Sequence, residues 1–285
     1  MARIVHFIFG LRPQDEPFHL LHYLAIASCH KVVAPDEIQL HVHELPYGLY
    51  WDLARPMVTL RRIEPVAAVD AVPVAPEVRP YTYAHHADVL RLDVLADAGG
   101  LYADIDTLFL RRPPDAWWDQ PTVIGAEADV DVPSRAAPEP SISNAWIMAR
   151  PGAPFIARWR AQIIGAMDGT WSNHSCRLAA RLAGEFDAEV QVEPQERFSP
   201  FAHSPAGMRA LLEEPLVPSV LAHTSSVHLC AHLWWSRNRR DFVRFSSCDA
   251  SEAVLRQADT PLGWLARPYL PAHGLFEAQG SDVRP

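Results

Sequence analysis

Asp104 and Asp106 stand one residue apart in "LYADIDTLFL", with a glycine pair before them and an apolar run around them. Side chains of an extended strand alternate faces, so both carboxylates of such a pair point the same way. Converging carboxylates repel unless a cation or a proton lies between them. A hard divalent ion, Mn²⁺ or Mg²⁺, suits oxygen donors in this arrangement and is often shared with phosphate oxygens. Upstream, Asp88 and Arg91 lie three residues apart in a helical pattern and so share a face. A carboxylate beside a guanidinium can hold sugar hydroxyls through paired acceptor and donor bonds. On a surface the same two residues form an ordinary ion pair worth under about 1 kcal/mol.

The elements that must carry these residues are legible. Residues 83–98 turn helical, with Ala87, Leu90, Val94 and Ala98 spaced along one face. Gly99 and Gly100 supply the positive-φ stop, and "LYADIDTLFL" follows as a strand closed by "RRPPD". Earlier, "RIVHFIFG" and "EIQLHVHEL" read as strands flanking a helix over residues 17–31. Strand, helix, strand suggests a βαβ unit and a mostly parallel sheet, whose carboxyl edge is where ligands bind. The Pro-rich "EPVAAVDAVPVAPEVRP" reads as a short strand plus loop. "TVIGAE" and "NAWIMAR" bracket a polar loop at 129–142, and "PGAPFIARWRAQIIGAM" opens a helix. Further on, a strand is expected near "AEVQVEP" and a helix near "AGMRALLEE".

Composition sets the bounds. The 285 residues are 49% hydrophobic and 9% aromatic, which excludes a disordered chain. With no repeat and no composition break, residues 1–285 are expected to form a single α/β domain. The net charge of −9 argues against nucleic acid as a main partner. No stretch approaches the roughly 18 apolar residues of a spanning helix. The N-terminus reads as a first strand and not as a signal peptide. Cys29, Cys176, Cys230 and Cys248 form no CxxC pair, so reduced thiols are expected in place of a disulfide framework or a thiolate zinc site. A cytoplasmic chain is the matching expectation. Two tryptophans beside three arginines in "LWWSRNRR" would suit peripheral contact with an anionic membrane, or the wall of a site.

"HADVLRLDVLADAGGLYADIDTLFLRRP" strongly resembles the D-x-D region of sugar-nucleotide glycosyltransferases with a GT-A (Rossmann-like) fold. The match is to the group of initiating α-1,6-mannosyltransferases, α-1,4-galactosyl- and N-acetylglucosaminyltransferases, and the glucosylating domains of clostridial toxins. Their pattern is A-x-x-S-D-x-x-R-x-x-x-L-x-x-x-G-G-x-Y-x-D-x-D. Asp88, Arg91, Leu95, Gly99, Gly100, Tyr102, Asp104 and Asp106 fall in register, with Ala87 in the place of serine. "RIVHFIFG" is similar to the family's opening strand, placing Phe9, with Ile8 beside it, where a tryptophan stacks on the nucleotide base. "SISNAWIMARPGAPF" puts Asn144 near the donor sugar, and "AHLWWSRNRR" resembles the late H-x-W element, which brings in Trp234. By that match His232 completes the metal shell with Asp104 and Asp106, while His228, four residues earlier, is a rival for the same role.

The resemblance implies metal-dependent transfer of a sugar, with retention of configuration, from a UDP- or GDP-linked donor to an acceptor hydroxyl. The acceptor would be a saccharide, a lipid-linked sugar or a small molecule. Asp104, Asp106, Asp88 and Arg91 would form the catalytic set, and Tyr102 would pack beside the sugar. Two other readings carry different chemistry. "DIDTLF" echoes the D-x-D-G-T-L motif of haloacid-dehalogenase-type phosphatases, although the glycine before Thr107 is missing. A catalytically inactive chain that only binds a sugar nucleotide would keep the same residues.

Overall fold

The computed structural model of the protein describes residues 2–76, 78–127, 141–186, 188–234 and 250–272, and the backbone alone at His232. The first half runs β1 (Ile4–Phe9), α1 (Leu20–Ser28), β2 (Glu37–Val42), α2 (Leu49–Ala54), β3 (Thr59–Arg62), α3 (Ala67–Asp70), α4 (Thr82–Ala98), β4 (Gly100–Ala103) and β5 (Thr107–Phe109). There follow β6 (Thr122–Glu127), β7 (Ser141–Ala149), α5 (Pro154–Gln162), α6 (Leu178–Ala183), β8 (Val190–Glu193), α7 (Pro205–Leu212), β9 (Ser226–His228), α8 (Ala231–Trp234), α9 (Glu252–Gln257) and α10 (Pro261–Ala266).

Seven strands form one sheet in the order β3-β2-β1-β4-β7-β6-β8. Its β1–β2, β1–β4, β2–β3 and β6–β8 pairs are parallel, and β7 runs antiparallel between β4 and β6. The α/β class and mostly parallel sheet are therefore as the strand, helix, strand pattern implies. β5 and β9 make a separate two-stranded antiparallel ribbon with Thr107 opposite His228. Among the described residues no helix is long and apolar enough to cross a membrane.

Three expectations need correction. "LYADIDTLFL" is not one strand: β4 ends at Ala103, residues 104–106 turn, and β5 pairs in the other sheet. The Thr107 amide donates to the Asp104 carbonyl at 2.9 Å, which closes that turn. The Pro-rich segment after β3 holds the short helix α3 and, among the described residues, no strand, since its prolines cannot donate to a ladder. On α4 the marked face is buried only in part: Leu90 is in the core and Ala87 packs against it, while Val94 is half-buried. Ala98 is exposed, whereas Val89, Leu92 and Leu95 are buried together with the polar His85, His86, Asp88 and Arg91. The middle of α4 is covered on more than one side, so a one-sided period cannot describe it. The loop anticipated at 129–142 lies mostly outside the described residues, although Ser141 and Ile142 already belong to β7. Residues 235–240 of the arginine- and tryptophan-rich stretch also lie outside them.

The turn from α4 into β4 fixes the geometry of everything after it. Gly99 and Gly100 have φ of +63° and +104°, conformations that L side chains rarely adopt. A Cβ on Gly100 would lie 2.6 Å from the Ile4 carbonyl oxygen, so only glycine lets β4 sit this close to β1. His6, buried in β1, donates from Nε2 to the Gly99 carbonyl at 2.8 Å. Its Nδ1 therefore accepts from His41 Nε2 at 3.1 Å, a neutral pair that ties the turn to β1 and β2.

Candidate metal and donor-sugar site

α4 presents Asp88 and Arg91 to the end of β4 and to β7. Arg91 Nη2 lies 2.9 Å from Asp88 Oδ1, the i to i+3 contact that the helical spacing requires. Asn144, on β7, donates its amide to the same Oδ1 at 2.7 Å. His174 Nε2 meets Asp88 Oδ2 at 3.0 Å. His174 sits in a π-helical turn, Asn173–Arg177, whose wider winding places this buried imidazole against α4. Arg91 also donates to the carbonyls of Ala87 at 3.1 Å and Asn144 at 2.5 Å. Its guanidinium stacks over Tyr102, with Cζ 4.7 Å from the ring centroid.

The two halves of the site meet at Asp104. Arg91 Nη1 is 3.3 Å from Asp104 Oδ1, and the Tyr102 hydroxyl donates to that oxygen at 2.7 Å. The other oxygen, Oδ2, lies 3.7 Å from His228 Nε2, and Asp106 Oδ1 lies 3.2 Å from the same nitrogen. Asp106 Oδ2 accepts the Ala231 amide at 2.8 Å, and its carbonyl accepts the Leu229 amide at 3.0 Å. Asp104, Asp106 and His228 each direct one ligand atom into a space where all three atoms lie within 4.8 Å of one another. The β5–β9 ribbon makes this possible by setting His228 across from the residue after Asp106.

Electrostatics divide these groups. Burial alone would raise the Asp88 carboxyl, but Arg91 and His174 outweigh it and hold it below its ordinary value. Burial disfavours a charged Arg91, yet Tyr102, Asp104 and Asp88 together push its pKa up, so it stays a cation. The Tyr102 phenol is raised by burial and by Asp104, against the opposing pull of Arg91, and remains a donor. His228 is raised despite its burial, because Cys230 and Asp106 favour the charged ring. Two carboxylates and an imidazole nitrogen match the oxygen and nitrogen donors that Mn²⁺ or Mg²⁺ accepts. The donor set fits such an ion.

Of the residues singled out from sequence, Asp88, Arg91, Tyr102, Asp104, Asp106 and Asn144 come together. His228 is an imidazole at the D-x-D pair; His232, the ligand the resemblance implies, has its side chain outside the described residues. Phe9 is half-buried and packs edge-on against Phe18 and His22, at centroid distances of 4.9 Å and 5.2 Å. Ile8 is buried in an apolar cluster with Val89, Leu92 and Tyr102. Trp234 is fully buried in another cluster, and its indole N–H donates to the Leu229 carbonyl at 2.8 Å. Sequence reasoning missed His174, the Glu127–His203 pair, whose Oε1 and Nδ1 are 2.5 Å apart, and Cys230 beside His228. No spacing rule joins these residues; only the folded chain does.

Residues 68–124 match the family described as glycosyltransferase sugar-binding region containing DXD motif. A curated relative, Glucan organizing enzyme 1 of Cryptococcus neoformans, is 36% identical over 202 residues, covering 68% of this chain and 52% of that protein. The chain thus spans about half the length of that relative. Similar solved structures include the galactosyltransferase LgtC in complex with donor and acceptor sugar analogs, at 17% identity and a TM-score of 0.48 over 96% of this chain and 99% of that one. The apo glycosyltransferase GlyE of Streptococcus pneumoniae is 12% identical with a TM-score of 0.45, covering 87% of this chain and 61% of that one. Residues 68–124 are thus similar to the sugar-binding region, containing the D-x-D motif, of a glycosyltransferase family.

Proposed function

We propose that residues 1–285 form one GT-A-type glycosyltransferase unit that moves a sugar from a nucleoside-diphosphate donor, UDP- or GDP-linked, to an acceptor hydroxyl. The convergence of Asp104, Asp106 and His228 on one space carries this reading. The three residues would hold Mn²⁺ or Mg²⁺. When bound, such an ion supplies charge stabilisation for the departing nucleoside diphosphate.

The chain's own residues do the rest. Arg91 and Tyr102 fix one Asp104 oxygen and leave the other facing His228. Asp88 places one oxygen on Arg91 and Asn144 and the other, among the described residues, on His174. A carboxylate has about four lone-pair sites, so Oδ2 keeps one acceptor position for a donor-sugar hydroxyl. Phe9, next to the buried Ile8 on β1, would meet the nucleotide base with the half-buried ring it packs against Phe18 and His22. Trp234 acts from behind the site by anchoring the Leu229 carbonyl next to His228. The resemblance implies retention, and among the described residues no protein nucleophile accompanies the set, so a same-face transfer in which the leaving phosphate takes the acceptor proton is the route proposed. The free thiols of Cys29, Cys176 and Cys230 suit a reducing compartment such as the cytoplasm.

A thermal-shift screen of UDP- and GDP-sugars with Mn²⁺ tests the reading, since a bound donor stabilises the folded chain by mass action. One class of donor is expected to raise the midpoint only when Mn²⁺ is present, and slow donor hydrolysis should accompany it. Asp106→Ala should abolish both effects while the chain still folds. Metal-dependent binding without any hydrolysis or transfer would favour an inactive binding protein. Hydrolysis of a generic aryl phosphate would favour a phosphatase.

A further inference from the structure

Behind the D-x-D space lies a second group of donors that the proposed transfer does not use. His203, in the turn before α7, His228 and Cys230 each offer one ligand atom, and these atoms all lie within 4.8 Å of one another. Cys230 Sγ is 3.7 Å from His228 Nδ1, close to the separation of sulfur and nitrogen around one tetrahedral ion. His203 and His228 face each other with ring centroids 5.5 Å apart and planes at 76°.

Three features point to a ligand. The other nitrogen of His203, Nδ1, is bonded to Glu127 Oε1 at 2.5 Å, the carboxylate–histidine arrangement that orients an imidazole toward a metal. That bond leaves Nε2 as the His203 nitrogen available to a ligand, buried and without a hydrogen-bond partner among the described residues. Cys230 is held at φ +50°, a left-handed conformation unusual for cysteine, with its side chain fully buried beside His228.

We infer that His203, His228 and Cys230 form a site for a soft divalent cation of the Zn²⁺ class, set back to back with the D-x-D site. One thiolate and two imidazoles select Zn²⁺ or Cd²⁺ over Mn²⁺ and Mg²⁺, whereas the carboxylate pair prefers the hard ions. Binding releases the Cys230 thiol proton to solvent and leaves a fourth coordination position open. The two sites share one ring. A neutral imidazole has a single lone pair, so His228 serves the soft ion through Nδ1 or the hard ion through Nε2, not both. Soft-cation binding therefore withdraws a ligand from the proposed catalytic ion. This consequence rests on the glycosyltransferase reading; the site itself does not.

Titration of the full chain with Cd²⁺ alone, followed by its ultraviolet thiolate-to-metal charge-transfer band, tests the assignment. One equivalent should saturate the band. Cys230→Ser should abolish it, and His203→Gln should weaken Cd²⁺ binding about tenfold or more, with circular dichroism confirming that both variants fold. The double variant Asp104→Asn with Asp106→Asn should keep the band, since it empties only the hard site. A band that survives Cys230→Ser, that is unchanged in His203→Gln, or that never forms in the wild-type chain overturns the proposal. Should the glycosyltransferase reading itself fail, with no Mn²⁺-dependent donor binding, the Cd²⁺ band is still expected.

Discussion

The Asp88 cluster and the D-x-D space are neighbours joined through Arg91 and Asp104, yet their charges are met very differently. Asp88, Arg91 and Asn144 are buried or nearly so, and their charged groups are paired within the cluster, with His174 closing it from the far side. Asp104 and Asp106 instead bring two carboxylates to one imidazole, with Arg91 reaching only the far oxygen of Asp104. The closed cluster is a scaffold whose geometry a ligand need not alter. The open one brings three possible ligand atoms within 4.8 Å of one another.

The largest effect should come from breaking the closed cluster. Arg91→Met leaves Asp88 buried with its main counter-charge gone and should cost about 3–5 kcal/mol of folding stability. Denaturant unfolding would read this loss, and the double variant Asp88→Asn with Arg91→Met should recover much of it. A loss below about 1 kcal/mol in the single variant would mean that the pair is no more than a surface contact.

The open site should respond in the opposite sense. Asp106→Asn is expected to lower turnover about 100- to 1000-fold and to change stability by no more than about 1 kcal/mol. A change confined to stability would invert the assignment of roles. His228→Ala should weaken Mn²⁺ binding by about 10- to 100-fold without unfolding the chain, as measured by metal titration.

Acid should also distinguish the two regions. Asp88 has a folded pKa below its ordinary 3.8, so its contribution to stability is complete above that pH and is lost as pH falls through the lowered value. Asp88→Asn should flatten the acid limb of the stability curve. The smallest effect is expected from Tyr102→Phe, which removes one bond to Asp104 and should cost about 1 kcal/mol. Its sharper readout is a rise in the donor KM, because Asp104 is then held by Arg91 alone.

How much of this was legible beforehand varies residue by residue. The α4–turn–β4 segment was readable because its determinants are local: helical spacing, a glycine pair with positive φ, and a β-rich run. The shared face of Asp88 and Arg91 follows from helix geometry, and the side chains are indeed in contact. The convergence of Asp104 and Asp106 was expected for a reason that does not hold. They do not alternate along one strand but flank a turn between two sheets, and pairing of β5 with β9 aims both at His228. Trp234, read as a substrate contact, is sealed in the core, since aromatic type alone does not tell a binding wall from packing.

The sequence by itself determined the α/β class, the glycine-gated entry to the site and its acidic residues, because spacing and backbone permissiveness act over a few residues. Only the tertiary structure decided that His228 faces the carboxylates, that His174 closes the Asp88 cluster, and that Cys230 and His203 stand beside His228. These contacts join residues up to 125 positions apart, as the Ala231–Asp106 bond does, and no local period encodes a meeting that chain topology alone brings about.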